Sequence, residues 1–253
     1  MQRVFRFLWN NKRFSAGLAL FLVICLLALL QPVLVRWKLG DVSAMTVGTF
    51  PIYGDPNAEH WLGTDRMGRD VLSVLLIGLR YSLAIGLLAG VLATTVGIIV
   101  GFIAGYQGGW VDNSLRSFTD MILVIPSFPI LVTLSAYIRG LNVVTMAILL
   151  AIFSWPFSAR AIRSQVLSLR ERGYVDLARA SGLSSMEIIF QDILPNLLPY
   201  LGVGLAVSTV GAILAAVGLE LIGLGPGNVA TLGLMINWAI GWGAMSLGKW
   251  HLI

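Results

Sequence analysis

Charged side chains are scarce in this chain of 253 residues, in which 11% are Asp, Glu, Lys or Arg and 57% are hydrophobic. Soluble domains carry roughly 25% charged residues, because polar side chains must cover the surface that faces water. The composition therefore excludes a soluble enzyme and a disordered chain. It predicts an all-α membrane protein, a polytopic helical bundle embedded in the lipid bilayer.

Cysteine, histidine and phosphate-binding motifs are equally sparse. The single cysteine, Cys25, excludes an intrachain disulfide and hence a secreted disulfide scaffold. His60 and His251 lie far apart with no second ligand nearby, so we expect interfacial or loop residues rather than a metal site. The only Gly-Lys pair, Gly248-Lys249, is followed by Trp, so the chain has no loop of the kind that cradles ATP phosphates. We expect no catalytic residues and no cofactor in this chain.

Basic residues are the more common charge and give a net charge of +5. They are dispersed between apolar runs, so they indicate membrane topology rather than a surface for nucleic acid. Arg3, Arg6, Lys12 and Arg13 precede the first apolar run. That run is longer than the core of a signal peptide, so we interpret it as an uncleaved helix with the amino terminus in the cytoplasm.

Apolar runs that can cross about 30 Å of hydrocarbon predict five spans, at 14–35, 81–106, 117–138, 143–158 and 197–219. The segment 36–78 has five acidic and four basic residues and is predicted to lie outside. It divides the chain into an amino-terminal part, 1–78, and a transmembrane domain, 79–253. The stretch 160–192 contains five arginines and falls on the cytoplasmic side, in agreement with the count of spans. Segment 223–250 is too rich in glycine to predict a further span.

Local patterns refine these spans. The string 63–71, with alternating charges, precedes an apolar period of 3.6 residues and predicts an interfacial amphipathic helix before the second span. The second span carries glycines at four-residue steps, which favour close helix packing over a substrate groove. Prolines and an aromatic residue interrupt the third and fourth spans and are candidates for lining a transport path. These candidates are Pro126, Pro129 and Trp155.

Two acids lie close to apolar runs. Glu220 is near the outer end of its predicted span, and Asp120 is near the inner end of its own. Acids at the membrane centre would favour a proton relay. At these positions we expect both acids to be solvated or paired locally instead.

The polar stretch near 171–192 predicts a pair of short helices. Residues 174–181 favour about two helical turns, and Gly182 is suited to the left-handed conformation that ends a helix. Ser184 precedes Glu187 by three positions, as in a capping box that starts a second helix, which we expect to close at Leu194-Pro195. This could be an ordinary connecting loop, but a connection of about 30 residues is unusually long and favours a surface that docks into a partner.

The same residues resemble permease subunits of ATP-binding-cassette (ABC) importers, whose signature is Glu-Ala-Ala, three residues, Gly and later Leu-Pro. Here the match is Asp176-Leu177-Ala178, Gly182 and Leu194-Pro195, with Asp and Leu replacing the first two letters. The strings at 63–70 and 105–109 further resemble the second permease of the oligopeptide, dipeptide and nickel branch. Such permeases have six spans, so the resemblance implies a sixth span that is not found after Lys249-Trp250.

The resemblance implies half of a translocation path, driven by partners. These would be a homologous second permease, two cytoplasmic ATPase subunits that hold ATP and Mg²⁺, and an extracytoplasmic substrate-binding protein, all at a bacterial or archaeal plasma membrane. The implied ATPase-docking residues are Tyr174, Asp176, Leu177, Ala178, Ala180, Ser181, Gly182 and Ser184.

Short peptides are the implied cargo. Oligosaccharides are the second candidate, since 225–228 and 232–250 look similar to members that carry them. A rival class is an ion-coupled secondary transporter that works without an ATPase. It would need inverted repeats with paired broken helices or central acids, which the sequence does not display.

Overall fold

The computed structural model describes residues 11–252, so Arg3 and Arg6, which were used to orient the amino terminus, lie outside the described range. The chain divides into two compact units. We call residues 11–83 with 229–252 the terminal unit, and residues 84–228 the central unit. The helices are α1 (Lys12–Leu39), α2 (Val71–Gln107), α3 (Gly109–Val124), α4 (Ser127–Tyr137), α5 (Val143–Arg170), α6 (Gly173–Ala180), α7 (Ser185–Leu221) and α8 (Leu232–Gly241).

Within residues 11–252, four helices are long and apolar enough to cross a membrane: α1, α2, α5 and α7. A fifth span results if α3 and α4, which meet at a bend of 73°, are counted together. The all-α polytopic prediction is thus confirmed, and each predicted run falls on one of these helices. Helix α8 has only 10 residues, in line with the prediction that glycine breaks this segment.

The amphipathic helix predicted to lead into the second span is confirmed as a helix from Val71, and its position at the membrane interface stays a prediction. Helix α2 runs without interruption for 37 residues from Val71. Asp70 caps it, because its carboxylate accepts a hydrogen bond of 2.8 Å from the backbone N–H of Ser73. No proline separates the amphipathic stretch from the apolar one, so the helix continues through both.

A buried ionic cluster organises the terminal unit around Asp70, whose side chain is completely buried. Lys38 Nζ donates to both carboxylate oxygens at 3.0 and 2.9 Å, and His60 Nδ1 lies 2.8 Å from Oδ2. The Ser73 hydroxyl donates to Oδ1 at 2.7 Å. One carboxylate therefore joins the end of α1, the loop 40–70 and the start of α2.

The loop 40–70 also holds α8. Arg69 pairs with Asp65 at 2.6 Å, and its guanidinium lies 4.5 Å from the ring centroid of Trp238 and 5.7 Å from that of Trp242. Arg69 is buried, which strengthens a cation–π contact. These contacts give the charged string 63–71 a structural role.

The glycines of α2 pack against neighbouring helices in the central unit. A Cβ built at Gly90 would lie 2.4 Å from Thr209 Oγ1 of α7. One built at Gly101 would lie 2.9 Å from the carbonyl oxygen of Ala159 and 3.0 Å from the backbone nitrogen of Arg163, both on α5. At such distances the backbones touch with no room for a side chain. Close helix packing, predicted from the glycine spacing, is confirmed for these positions.

We expect Gly101→Ala to destabilise the bundle, because the neighbouring atoms are backbone and cannot rotate away. Overpacking of this kind costs about 1–3 kcal/mol, so the apparent unfolding temperature in detergent should fall. Gly202→Ala is the matched control, since Gly202 lies within α7 and a Cβ there meets no atom within 4 Å. Equal unfolding temperatures for Gly101→Ala and the wild type would contradict the close contact.

Candidate functional site

Helix α6 ends in the geometry that the sequence predicted. Gly182 has φ of +83°, the left-handed region. Its N–H donates to the carbonyl of Arg179 at 3.0 Å, and the N–H of Leu183 donates to the carbonyl of Ala178 at 3.2 Å. This pair of bonds is a Schellman motif, which satisfies the last carbonyls of the helix and reverses the chain. The prediction for Gly182 is confirmed.

The capping box is also confirmed. The Ser184 hydroxyl accepts from the N–H of Glu187 at 3.4 Å, and the Glu187 carboxylate accepts from the N–H of Ser184 at 2.7 Å. Helix α7 starts there. We refer to residues 173–190, which are α6, the turn at Gly182 and the first residues of α7, as the helical pair.

The prediction that the second helix closes at Leu194-Pro195 is wrong. A π-helical turn at Ile188–Ile193 precedes Leu194, and α7 then continues to Leu221. Pro195 directly follows this π-helical turn, at the start of the α-helical part of α7. The wider turn therefore lets the chain carry a proline without ending the helix.

Buried apolar residues anchor the helical pair to the bundle. Val175 and Ala178 lie three apart on α6, and Ile188 belongs to α7. They share one apolar cluster with Phe102 of α2 and Ile162 of α5. This core joins the helical pair to the long helices α2 and α5.

The helical pair also carries three exposed apolar side chains. Leu177 is 70% exposed, Met186 63% and Phe190 59%. Beside it, Met186 and Phe190 line a cavity of about 860 Å³ together with Ile98 and Phe102 of α2. Arg170, Glu171 and Arg179 also line this cavity. Exposed apolar side chains beside such a cavity are typical of a surface that binds a partner.

The predicted docking residues divide between these two surfaces. Ala178 is buried in the anchoring cluster, so it positions the helical pair rather than facing outward. The other predicted residues are exposed: Tyr174, Asp176, Leu177, Ala180, Ser181, Gly182 and Ser184. Leu177 and Ser181 lie on one face, since the Ser181 hydroxyl donates to the carbonyl of Leu177 at 2.9 Å.

Arginines that the sequence indicated as topology signals also hold helices together. Arg163 of α5 makes a two-pronged ion pair with Asp112 of α3. Arg170 donates to the carbonyls of Gly105 and Tyr106 at 3.2 and 3.0 Å, which caps the carboxyl end of α2. The sequence positions of Arg163 and Arg170 did not indicate these partners, because each partner lies more than 50 positions away in sequence.

The two acids close to apolar runs, Asp120 and Glu220, have different surroundings. Asp120 is paired locally, with Arg160 at 2.5 Å and Arg116 at 3.7 Å, as predicted. Glu220 is completely buried, so of the two expected alternatives, solvated or paired locally, the solvated one is wrong. It continues the buried stripe of Ala212 and Ala216 on α7, one helical turn further on.

The structure places the three path candidates separately. Pro126 precedes α4 at the 73° bend. Pro129 lies in the first turn of α4, and its carbonyl accepts from the Thr133 hydroxyl. Trp155 of α5 stacks on Phe118 of α3, with ring centroids 6.2 Å apart. Their role in a path stays a prediction.

Sequence reasoning missed Met186 and Phe190, which extend the exposed apolar surface. Both fall in the stretch after Ser184 that was predicted to be helical. Their four-residue spacing was the signal that could have revealed them, because it places both on one face of a helix.

Comparison with known proteins agrees with this architecture. Residues 97–251 match the family described as "Binding-protein-dependent transport system inner membrane component". The oligopeptide transport system permease protein OppC of Mycobacterium tuberculosis is 35% identical over 221 residues, which cover 87% of this chain and 74% of that protein. The dipeptide transport system permease protein DppC of Alkalihalophilus pseudofirmus is 34% identical over 224 residues, covering 88% of this chain and 72% of that protein.

A solved structure shows the same fold. It is titled as inward-facing conformations of the MetNI methionine ABC transporter, and it aligns with a TM-score of 0.54 at 18% identity. The alignment covers 70% of this chain and 94% of the solved chain. With this fold, the family match and the two relatives, the chain belongs to the inner-membrane permeases of binding-protein-dependent ABC importers, in the branch of the oligopeptide and dipeptide permeases.

Proposed function

We propose that this chain forms half of the translocation path of an ATP-driven importer for short peptides. The observation that carries the proposal is the helical pair, which is held by its Schellman motif and capping box, anchored through Val175 and Ile188, and exposes the apolar side chains of Leu177, Met186 and Phe190. The relatives named as oligopeptide and dipeptide permeases support peptides as the cargo.

The proposed partners are those that the ABC-importer family implies. This sequence has no phosphate-binding loop, and we assign ATP hydrolysis to the two ATPase subunits of such an importer, which would receive the helical pair. A second, homologous permease completes the path, and a substrate-binding protein delivers the cargo on the opposite side. The basic residues orient the helical pair and the amino terminus to the cytoplasm.

The helical pair could link ATP binding to alternating access, in which the path switches between inward-facing and outward-facing states. ATP binding draws the ATPase subunits together and shifts the helical pair, and the shared apolar cluster carries the shift to α2 and α5. ATP must bind one state of the transporter better than the other for this to drive transport. The bend at Pro126 and the residues Pro129 and Trp155 are proposed to border the path.

Site-directed crosslinking tests the proposed docking. In a Cys25→Ala background of the purified importer, we expect Leu177→Cys and Ser181→Cys to crosslink to an ATPase subunit. Both positions are exposed and share one face of α6. The matched control is Ala178→Cys on the buried face of the same helix, which should not react.

A cysteine at Asn57, in the loop proposed to lie outside, is the control for topology. Crosslinking from Asn57 but not from α6 would show that the proposed orientation is inverted. If no position crosslinks and the chain alone carries out transport when reconstituted, an ion-coupled secondary transporter would replace this proposal.

A further inference from the structure

The cavity of about 860 Å³ beside the helical pair lies between two helices that can cross the membrane, α2 and α7. Its apolar walls include Ile99 and Ile103 on α2, and Met186, Phe190 and Leu194 on α7. Within each helix these residues follow one another at four-residue steps, which place them on one face. Each wall is therefore an apolar stripe that runs along its helix.

The polar lining lies at the ends of the helices. Gln107 is the last residue of α2, Arg170 is the last of α5, and Ser185 is the first of α7. From Gln107 back to Ile98, which also lines the cavity, α2 rises by about 14 Å at roughly 1.5 Å per residue. This length is close to the roughly 15 Å of hydrocarbon in one leaflet of a bilayer. The cavity thus leads from the membrane surface to the depth of the lipid tails.

Two arginines supply positive charge at the polar end. Arg170 is held in place by the two carbonyls at the end of α2 that it caps, and its Nε donates to Glu171 at 3.1 Å. Arg179 donates through Nη1 to Asp176 at 3.0 Å. In the part of the chain that the structure describes, the Nη2 atom of each guanidinium makes no hydrogen bond. Both arginines can therefore still donate to a phosphate group.

The acidic residues at this end do not cancel the positive charge. Among the charged residues that line the cavity, Arg170 and Arg179 outnumber the single acid, Glu171. The side chains of Glu171 and Asp176 are 70% and 65% exposed, and exposed ion pairs are weak. The cavity therefore combines an electropositive end with apolar walls, which is complementary to an amphiphile with a negatively charged headgroup.

We propose that this cavity binds an anionic phospholipid from the leaflet beside the helical pair. The phosphate contacts Arg170 and Arg179, and an acyl chain lies between the apolar stripes of α2 and α7. Basic cavities between membrane helices are suited to anionic headgroups, and the volume falls in the range of about 300–1,000 Å³ that is usual for ligand sites. A soluble subunit would have to enter the hydrocarbon to cover Ile98, whereas a lipid tail is already there. The proposal does not depend on the cargo.

Lipid binding by the chain, purified together with its partner subunits in detergent, tests the proposal. Native mass spectrometry counts the bound lipids while phosphatidylglycerol or phosphatidylethanolamine is titrated into the complex. We expect phosphatidylglycerol, the anionic lipid, to bind more tightly. Arg179→Gln should weaken its binding about fivefold, the effect of one basic residue near a membrane surface, and leave phosphatidylethanolamine binding unchanged. Since Arg179 makes only an exposed ion pair, the variant should assemble normally.

Matched variants separate the cavity from the rest of the surface. Arg172→Gln removes the same charge from an exposed residue outside the lining and should leave phosphatidylglycerol binding unchanged. For the apolar walls, Ile103 and Val96 are 39% and 40% exposed on the same helix, but only Ile103 lines the cavity. Ile103→Gln should weaken binding about fivefold or more, because its amide meets a lipid tail without a hydrogen-bond partner. Val96→Gln should have no effect.

Several results would overturn the lipid site. These are no retained lipid, equal binding of the two lipids, equal effects of Arg179→Gln and Arg172→Gln, or equal effects of Ile103→Gln and Val96→Gln. If phosphatidylglycerol binds only after the ATPase subunits have been removed, an ATPase subunit occupies the cavity and the proposal is likewise wrong. Peptide uptake is measured separately, so a failure of the lipid site leaves the proposed function standing.

Discussion

Gly182→Val is expected to lower peptide uptake by about tenfold or more while the protein stays at normal abundance in the membrane. A side chain with a branched β-carbon at φ of +83° is strained by about 1–2 kcal/mol or more. The turn can relieve this strain by breaking the Schellman bonds of Gly182 and Leu183, which would free α6 from its fixed angle. About 1.4 kcal/mol corresponds to a factor of ten. Uptake should therefore fall by about this factor, because α6 no longer presents the docking surface at the angle that couples it to transport.

The environment of Gly182 makes this experiment easy to interpret. A Cβ at Gly182 meets no atom within 4 Å, so strain in the backbone is the only expected effect. Gly182→Asn is the matched control at the same position, because Asn tolerates the left-handed region better than other side chains. It should retain most uptake. Equal uptake by the Val and Asn variants at equal abundance would show that Gly182 does not set the shape of the helical pair.

Asp70→Ala is expected to unfold the terminal unit well before the wild type. The substitution removes the acceptor of Lys38, His60 and Ser73 together and leaves Lys38, whose side chain is 12% exposed, without its partner. Removing one member of a buried ion pair costs about 3–5 kcal/mol. Limited proteolysis of the loop 40–70 during a temperature ramp measures the effect.

Asp55→Ala is the control for this substitution. Asp55 pairs with Lys249 at 2.6 Å, but its side chain is 78% exposed, and exposed pairs contribute little. The proteolysis midpoint should therefore hardly move. If Asp70→Ala and Asp55→Ala behave alike, the buried cluster does not hold the terminal unit together.

The Asp70 cluster also predicts a dependence on pH. Burial by itself would raise the pKa of Asp70, but hydrogen bonds from Lys38, His60 and Ser73 outweigh it and keep the pKa below the ordinary 3.8. A carboxyl with a lowered pKa stabilises the fold fully above 3.8, and this stability is lost as the pH falls through the lowered value. The difference between wild type and Asp70→Ala should therefore shrink below pH 3.8. A difference that stays constant throughout the acid range would contradict this role of the carboxylate.

The sequence predicts the local features of this protein well because their causes are local. The turn at Gly182 depends on one residue that accepts a positive φ, and the box at Ser184 and Glu187 depends on two residues three positions apart. Apolar runs likewise predict the spans, since membrane thickness sets their length.

Features that depend on distant partners could not be predicted in this way. Asp70 and Lys38 are 32 positions apart, and Arg163 and Asp112 are 51 apart. No local pattern links them, because the fold alone brings them together. The continuation of α7 through Pro195 was also not predicted. A π-helical turn just before the proline accommodates its missing backbone N–H.

The glycines along α2 also determine how the helices can move. Gly86 and Gly90 touch α7, whereas Gly97, Gly101 and Gly105 touch α5. At these positions the backbone of α2 lies directly against the neighbouring helix, so an added side chain would push the two helices apart. The anchoring cluster at Val175 adds interlocked side chains, and it includes Phe102 of α2 and Ile162 of α5. We therefore expect α2, the helical pair and the end of α5 to shift together as one rigid body.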